Sequence, residues 1–281
     1  MTDTVEDVVR VIARSATEIR RGLVGRRGKV DEENPSGETQ AEADIWADEL
    51  LADRLSTTDG VVQYASEERT DDLNCGDEGL AVAVDPLDGS SNLRSNNTMG
   101  TVFGIYDEPI PAPGTALVAA GYVLYGPITT MVYARDGQVT TYELSGGERT
   151  VVDEDVIVPD DPVVYGFGGR VPNWTDDFHQ YANEIEDELK LRYGGSMIGD
   201  VNQVLSYGGI FAYPALEDSP NGKLRLQFEG NPIAYVMESA GGRSSDGTQS
   251  ILEIEPTDLH GRVPLHVGNA DLIDRLEAAL E

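Results

Sequence analysis

The sequence predicts a mixed α/β chain in two halves: helices and an antiparallel-rich sheet first, then a second α/β half. Three observations carry that reading. Apolar residues recur at helical spacing through the first 24 positions. From Gly60 the period shortens to strand-like runs broken by Gly, Pro and Asp. An acidic, proline-containing stretch over 152–162 then interrupts the pattern, which sets the expected halves at 1–155 and 156–281. With 281 residues and 40% hydrophobic side chains, the chain carries enough apolar material for a packed core.

Taken in order, residues 2–24 place Val5, Val8, Val9, Ile12, Ala16, Ile19 and Leu23 on one helical face, with Thr2 or Thr4 available as cap. Residues 25–37 are too polar for a core. A second helix is expected over 39–55, with Ile45, Trp46, Leu50, Leu51 and Leu55 as its apolar residues. Strands follow at 60–65, 79–84, 101–106, 116–125, 129–134 and 139–144. Beyond the boundary the pattern predicts strands at 163–167, 210–213 and 224–228. Helices are expected over 175–189, 198–207, 232–240 and 270–280.

Charge narrows the partners. Lys plus Arg is 20 and Asp plus Glu is 51, so the chain carries 20 − 51 = −31 at pH 7. Such a surface lacks the cations that displace counterions from phosphates, which excludes nucleic acid and anionic membranes as partners. Lysine occurs only at positions 29, 190 and 223. Carboxylate excess with few lysines is the pattern of salt-accumulating halophiles, where molar cations screen the self-repulsion. One cysteine, Cys75, rules out an internal disulfide framework, and its acidic neighbours disfavour a thiolate. With no signal-like start and no run of 18 apolar residues, a cytoplasmic location is expected.

The chemistry lies in three acidic clusters, each directly after an apolar strand: Glu67-Glu68, Asp85-Pro86-Leu87-Asp88 and Glu229. Carboxylates converging in one cleft repel unless some protonate or a multivalent cation intervenes, and hard oxygen ligands select Mg²⁺ or Mn²⁺. Asp85 and Asp88 are expected on the two sides of a turn, with the Leu87 carbonyl between them. Gly89-Ser90-Ser91 then offers backbone N–H groups and hydroxyls to a phosphoryl group, opening a helical turn. Lys223 and Arg225 alternate along one strand face just before Glu229. His179, His260 and His266 have no metal-ligand spacing and are expected at the surface or in loops. No P-loop, dinucleotide fingerprint or Gly-x-Ser-x-Gly elbow occurs.

Four stretches resemble class I fructose-1,6-bisphosphatase, within the magnesium-dependent, lithium-sensitive phosphatase superfamily that includes inositol monophosphatase. They are Ser66-Glu67-Glu68, Asp85-Pro86-Leu87-Asp88-Gly89-Ser90-Ser91-Asn92, the segment 192–214 beginning Arg-Tyr-Gly-Gly-Ser-Met, and the segment 222–242 beginning Gly-Lys-Leu-Arg-Leu-Gln-Phe-Glu. The resemblance implies a layered αβαβα sugar-phosphatase fold, with two sheets and three helix layers. It implies hydrolysis of the 1-phosphate of fructose 1,6-bisphosphate by a metal-activated water. Two or three Mg²⁺ would be held by Glu67, Glu68, Asp85, the Leu87 carbonyl, Asp88 and Glu229, with Glu38 near a third ion. Asp44 and Glu68 would orient and deprotonate the water. Asp88, Gly89, Ser90, Ser91 and Arg225 would hold the phosphate being cleaved. Tyr193, Ser196, Met197, Tyr213 and Lys223 would hold the sugar and its second phosphate. The match to Arg192 reaches in from a neighbouring subunit, implying a homo-oligomer, a tetramer by the same resemblance.

Two departures bear on selectivity and regulation. Phe167-Gly168-Gly169-Arg170-Val171 stands where the family usually carries an Asn-Glu-Gly-Tyr-like segment, leaving Arg170 or glycine N–H groups to meet the distal phosphate. Gly79-Leu80 replaces the Lys-Tyr pair that eukaryotic members use for AMP, so AMP inhibition is not expected. The rival readings are a broader phosphatase of the same superfamily, acting on inositol monophosphate or sedoheptulose bisphosphate, and a non-catalytic cation-binding scaffold.

Overall fold

The computed structural model describes residues 3–33 and 39–281, and side chains over 3–28 and from 41 onward. Helix α1 (Thr4–Gly22) leads to β1 (Lys29–Glu33), which pairs antiparallel with β2 (Thr39–Ala41) before α2 (Glu42–Leu55). Eight strands follow: β3 (Val61–Ser66), β4 (Leu73–Asn74), β5 (Leu80–Asp88), β6 (Gly100–Tyr106), β7 (Leu117–Tyr125), β8 (Thr129–Arg135), β9 (Gln138–Ser145) and β10 (Glu148–Asp153). They form one sheet in the order β10-β9-β8-β7-β6-β5-β3-β4, antiparallel except for the β3–β5 pair. The later half runs β11 (Val164–Phe167), α3 (Asp176–Glu188), β12 (Lys190–Leu191), α4 (Met197–Tyr207), β13 (Gly209–Tyr213) and β14 (Leu224–Arg225). It ends with α5 (Asn231–Ser239), β15 (Arg243–Ser245), β16 (Arg262–Val263), β17 (Leu265–Gly268) and α6 (Ala270–Leu280). Its five-stranded sheet is ordered β12-β11-β13-β17-β15.

Three apolar clusters stack these elements into αβαβα layers, as the sequence led us to expect. Val8, Ile12 and Leu51 bury α1 and α2 against Phe103 and Val123 on one face of the large sheet. Ile198 and Val201 of α4, with Ile233 and Met237 of α5, fill the space between the two sheets. Phe178, Tyr181, Leu272 and Leu276 bury α3 and α6 on the outer face of the small sheet. Each fully buried side chain of this size contributes about 1.5–3 kcal/mol. No helix of the described residues is long and apolar enough to cross a membrane.

Several local expectations are corrected. Asp3, not Thr2 or Thr4, caps α1, its carboxylate accepting from Val5 N at 3.1 Å. The short strand β2 occupies the start of the expected second helix. Strand β10 lies where the interrupting stretch was expected to begin, because its exposed edge position needs no apolar alternation. Only Leu224–Arg225 of the expected 224–228 strand pairs; Leu226–Gly230 coils into a π-helical turn that runs into α5. Glu229 therefore sits on a helical turn rather than at a strand end. His266 is fully buried on β17, held by Ser245 O at 3.0 Å, and desolvation lowers its pKa to about 4. For Cys75, burial rather than the nearby acids is the main cause raising the thiol's pKa.

Candidate active site

The acids meet where the two halves meet. On β5, Asp85 pairs with Val102 and Asp88 with Gly100, so three steps on one strand face two on the other. That extra residue is a bulge. In a regular strand, positions three apart point to opposite faces; the bulge turns both carboxylates to one side. The expected turn at this point is thus a bulged strand end carrying Pro86, which has no N–H to pair. Asp85 and Asp88 are 4% and 6% exposed, and Glu229 is 7% exposed. One carboxylate oxygen from each lies within 4.8 Å of the other two.

Each of the three carboxylates accepts a backbone N–H. Asp85 accepts from Leu87 N at 2.9 Å, Asp88 from Ile198 N at 2.9 Å and Glu229 from Arg225 N at 2.5 Å. Burial raises the Asp85 pKa well above the carboxylate range, aided by the charges of Glu67, Asp88, Glu229 and Glu68. Burial raises Asp88 as well, partly offset by the Ile198 amide. A divalent cation would remove both penalties. The donor set is all carboxylate, without histidine or cysteine, and so fits a hard ion such as Mg²⁺ or Mn²⁺.

Around this cluster a cleft of about 250 Å³ is lined by Glu67, Asp88, Gly89, Ser91, Tyr193, Ser196, Met197, Tyr213, Lys223, Arg225 and Glu229. These were anticipated from the sequence; Gly195, Phe211 and Leu224, which also line the cleft, were not. Gly89 has φ +73°, and a Cβ there would lie 2.3 Å from Ser196 Cβ, so only glycine permits the close approach of the two loops. A short 3₁₀ turn, Ser90–Leu93, follows it as expected. Arg225 is 1% exposed; its Nη1 donates to Lys223 O at 2.9 Å and its Nη2 lies 3.5 Å from Glu67 Oε1.

Other anticipated residues sit outside the cleft lining. Asp85 and Leu87 are buried. Ser90 and Glu68 are half-buried beside it, the Glu68 N–H donating to Ser66 Oγ at 3.3 Å. Asp44 is buried in the first turn of α2, its Oδ2 accepting from Ala41 N at 2.8 Å. Arg192 is exposed and does not line the cleft. Glu38 lies outside the described residues.

Two supporting groups escaped the sequence reading. Asp200, 2% exposed in the first turn of α4, accepts from Gly194 N at 2.6 Å and pins the loop that carries Tyr193. Asp48 holds Arg69 Nε at 2.7 Å and Tyr64 Oη at 3.0 Å, residues that flank Glu67-Glu68 in the chain. The available signal for Asp48 was its place four residues after Asp44, on the same helical face.

Comparison with known proteins covers the whole chain. The pattern of the family "Fructose-1-6-bisphosphatase, N-terminal domain" matches residues 2–154, and that of "Fructose-1-6-bisphosphatase, C-terminal domain" matches 158–281. A class 1 fructose-1,6-bisphosphatase of Natronomonas pharaonis is 62% identical over the full length of both chains. One from Haloarcula marismortui is 59% identical, over 99% of this chain and 95% of its own. Both come from halophilic archaea. A crystal structure of Leishmania major fructose-1,6-bisphosphatase in holo form superposes with a TM-score of 0.92 at 29% identity, covering 99% of this chain and 94% of that one.

Proposed function

The chain belongs to the class 1 fructose-1,6-bisphosphatase family, and from that membership we propose how its residues divide the work of the reaction. The enzyme is a phosphoric monoester hydrolase that converts fructose 1,6-bisphosphate to fructose 6-phosphate in gluconeogenesis, and it is divalent-metal dependent. Our assignment of the metal is Mg²⁺, two or three per site, with Mn²⁺ as a substitute. When bound, such an ion supplies charge neutralisation, polarises the phosphoryl oxygens and makes water a competent nucleophile at neutral pH.

The observation that carries the reading is the buried group of Asp85, Asp88 and Glu229, with oxygens within 4.8 Å of one another. These three, with Glu67, Glu68 and the Leu87 carbonyl, hold the metal. Asp44 and Glu68 orient the attacking water and take its proton. Gly89, Ser90 and Ser91 offer N–H and hydroxyl donors to the phosphate being cleaved. Arg225, beside Glu67, adds a guanidinium whose planar fork can donate two N–H bonds to a phosphate. Tyr193, Ser196, Met197, Tyr213 and Lys223 hold the sugar and distal phosphate. Arg192, exposed and outside the cleft lining, serves a neighbouring subunit in a homo-oligomer, which we assign as a tetramer. We place the division of the chain at residues 155 and 156.

Phosphate release from fructose 1,6-bisphosphate in molar KCl tests the assignment. We expect activity to disappear with EDTA, return with Mg²⁺, and fall by at least about a thousandfold in Asp88→Asn. Full activity of Asp88→Asn in EDTA would defeat the metal-ligand assignment.

A further inference from the structure

The metal cleft opens into a second cavity of about 330 Å³ that shares Tyr193, Tyr213 and Lys223 with it. Its far wall is Gly169, Arg170, Asn173, Leu216 and Asp218. Arg170 precedes the short 3₁₀ turn Val171–Asn173, so the guanidinium comes from a backbone position fixed by that turn. Among the described residues, neither Arg170 nor Lys223 has a carboxylate within ion-pair distance. The one acid of this wall, Asp218, accepts from Asn173 Nδ2 at 2.7 Å. In a chain of net charge −31, two cations facing one cavity without an ionic partner mark a site for an anion.

The glycines before Arg170 show why it supplies that side of the cavity. A Cβ at Gly168 would lie 2.3 Å from Tyr213 Cδ2, because the tyrosine ring packs on the bare backbone. Gly169 has φ +84°, which disfavours any side chain there. Arg170 is therefore the first position of the segment that can present a functional group to the cavity.

We propose that Arg170, paired with Lys223 across this cavity, is a specificity-determining residue that binds the sugar-phosphate end of the substrate not undergoing cleavage. The inference rests on the bisphosphatase reading above and adds a residue to it. An arginine can donate two N–H bonds to a phosphate dianion, whereas glycine amides supply no charge. Discrimination between a bisphosphate and a lone phosphate then depends on Arg170.

The experiment uses the two reaction products as separate probes in Arg170→Gln and the parent enzyme, in molar KCl with saturating Mg²⁺. Fructose 6-phosphate reports on the distal site, and inorganic phosphate on the site of cleavage. In Arg170→Gln we expect KM for fructose 1,6-bisphosphate and Ki for fructose 6-phosphate to rise about tenfold or more. Ki for inorganic phosphate should stay within twofold and Tm should be unchanged. Arg170→Lys should recover part of the loss. An unchanged Ki for fructose 6-phosphate, or equal rises for both products, would overturn the assignment. If the parent enzyme failed to cleave the bisphosphate, the activity reading would fall instead; calorimetric binding of fructose 6-phosphate would still decide the role of Arg170.

Discussion

Replacing Asp200 with Asn should change stability in a pH-dependent way that can be worked out from its surroundings. The carboxyl is 2% exposed, and burial raises its pKa from 3.8 to about 6 against the opposing pull of the Gly194 and Gly195 amides. A raised folded-state pKa means the native protein binds a proton more tightly than the unfolded chain. The ionised carboxylate therefore costs nothing below about pH 4, where both states are protonated. The cost grows between pH 4 and 6 and is complete above 6. A shift of about 2 units corresponds to about 3 kcal/mol. Asparagine keeps the oxygen that accepts from Gly194 N, and its NH₂ takes the place of an oxygen with no hydrogen-bond partner, at a cost of about 1–2 kcal/mol. Asp200→Asn should thus be about 1–2 kcal/mol more stable than the parent at pH 8 and about 1–2 kcal/mol less stable at pH 4. Urea unfolding at the two pH values, in molar KCl with Mg²⁺, measures this. The decisive quantity is the difference of about 3 kcal/mol between the two comparisons. An equal effect at both pH values would refute the reasoning.

Three further outcomes follow from the same structure. Gly89→Ala should lose at least about tenfold in kcat/KM, since it combines φ +73° with a clash against Ser196; parent-like kinetics would contradict the close approach. Asp48→Asn leaves Arg69 without its buried partner. Because the Arg69 side chain is 29% exposed, the loss should be about 1–2 kcal/mol in urea unfolding rather than the larger cost of a fully buried pair; no measurable loss would show the pair to be idle. The acidic surface should gain thermal stability between low salt and molar KCl, and a melting temperature that does not rise would remove the halophilic reading.

The layers were legible in the sequence because each helix has an apolar face that must be covered. Residues Val8 and Ile12 on α1, or Leu272 and Leu276 on α6, announce a sheet beneath them without naming its strands. Two of the places read wrongly are backbone irregularities at the site itself. Asp85-Pro86-Leu87-Asp88 reads as a turn because it contains Pro, yet a bulge keeps it in the sheet. Leu224 to Phe228 reads as a strand because it alternates, yet the chain coils at Leu226 to present Glu229 beside β5. In each case local propensity gives way to an arrangement that needs carboxylates from two halves of the chain at one point. His266 was misplaced for another reason: a buried neutral imidazole held through Nδ1 by one backbone carbonyl leaves no trace in spacing.

The charge of −31 makes the reaction a problem of local sign reversal. A bisphosphate approaching this protein meets repulsion from the whole surface, which molar salt shortens to a few ångströms. Inside that range only groups in the cleft matter, and there the carboxylates outnumber the cations. Arg225 lies beside Glu67 and its Nη1 is used by Lys223 O, so its charge is partly committed before substrate arrives. On the proposed assignment, the cleft would attract a phosphate at the cleavage end once a divalent ion reversed the sign set by Asp85, Asp88 and Glu229. The distal end has no such acid cluster, and there Lys223, with Arg170, can attract phosphate without metal. On the proposed assignment, the two ends of the substrate would be held by physically different means. On that assignment, one of the chain's three lysines, which lines this cavity, would meet the distal phosphate.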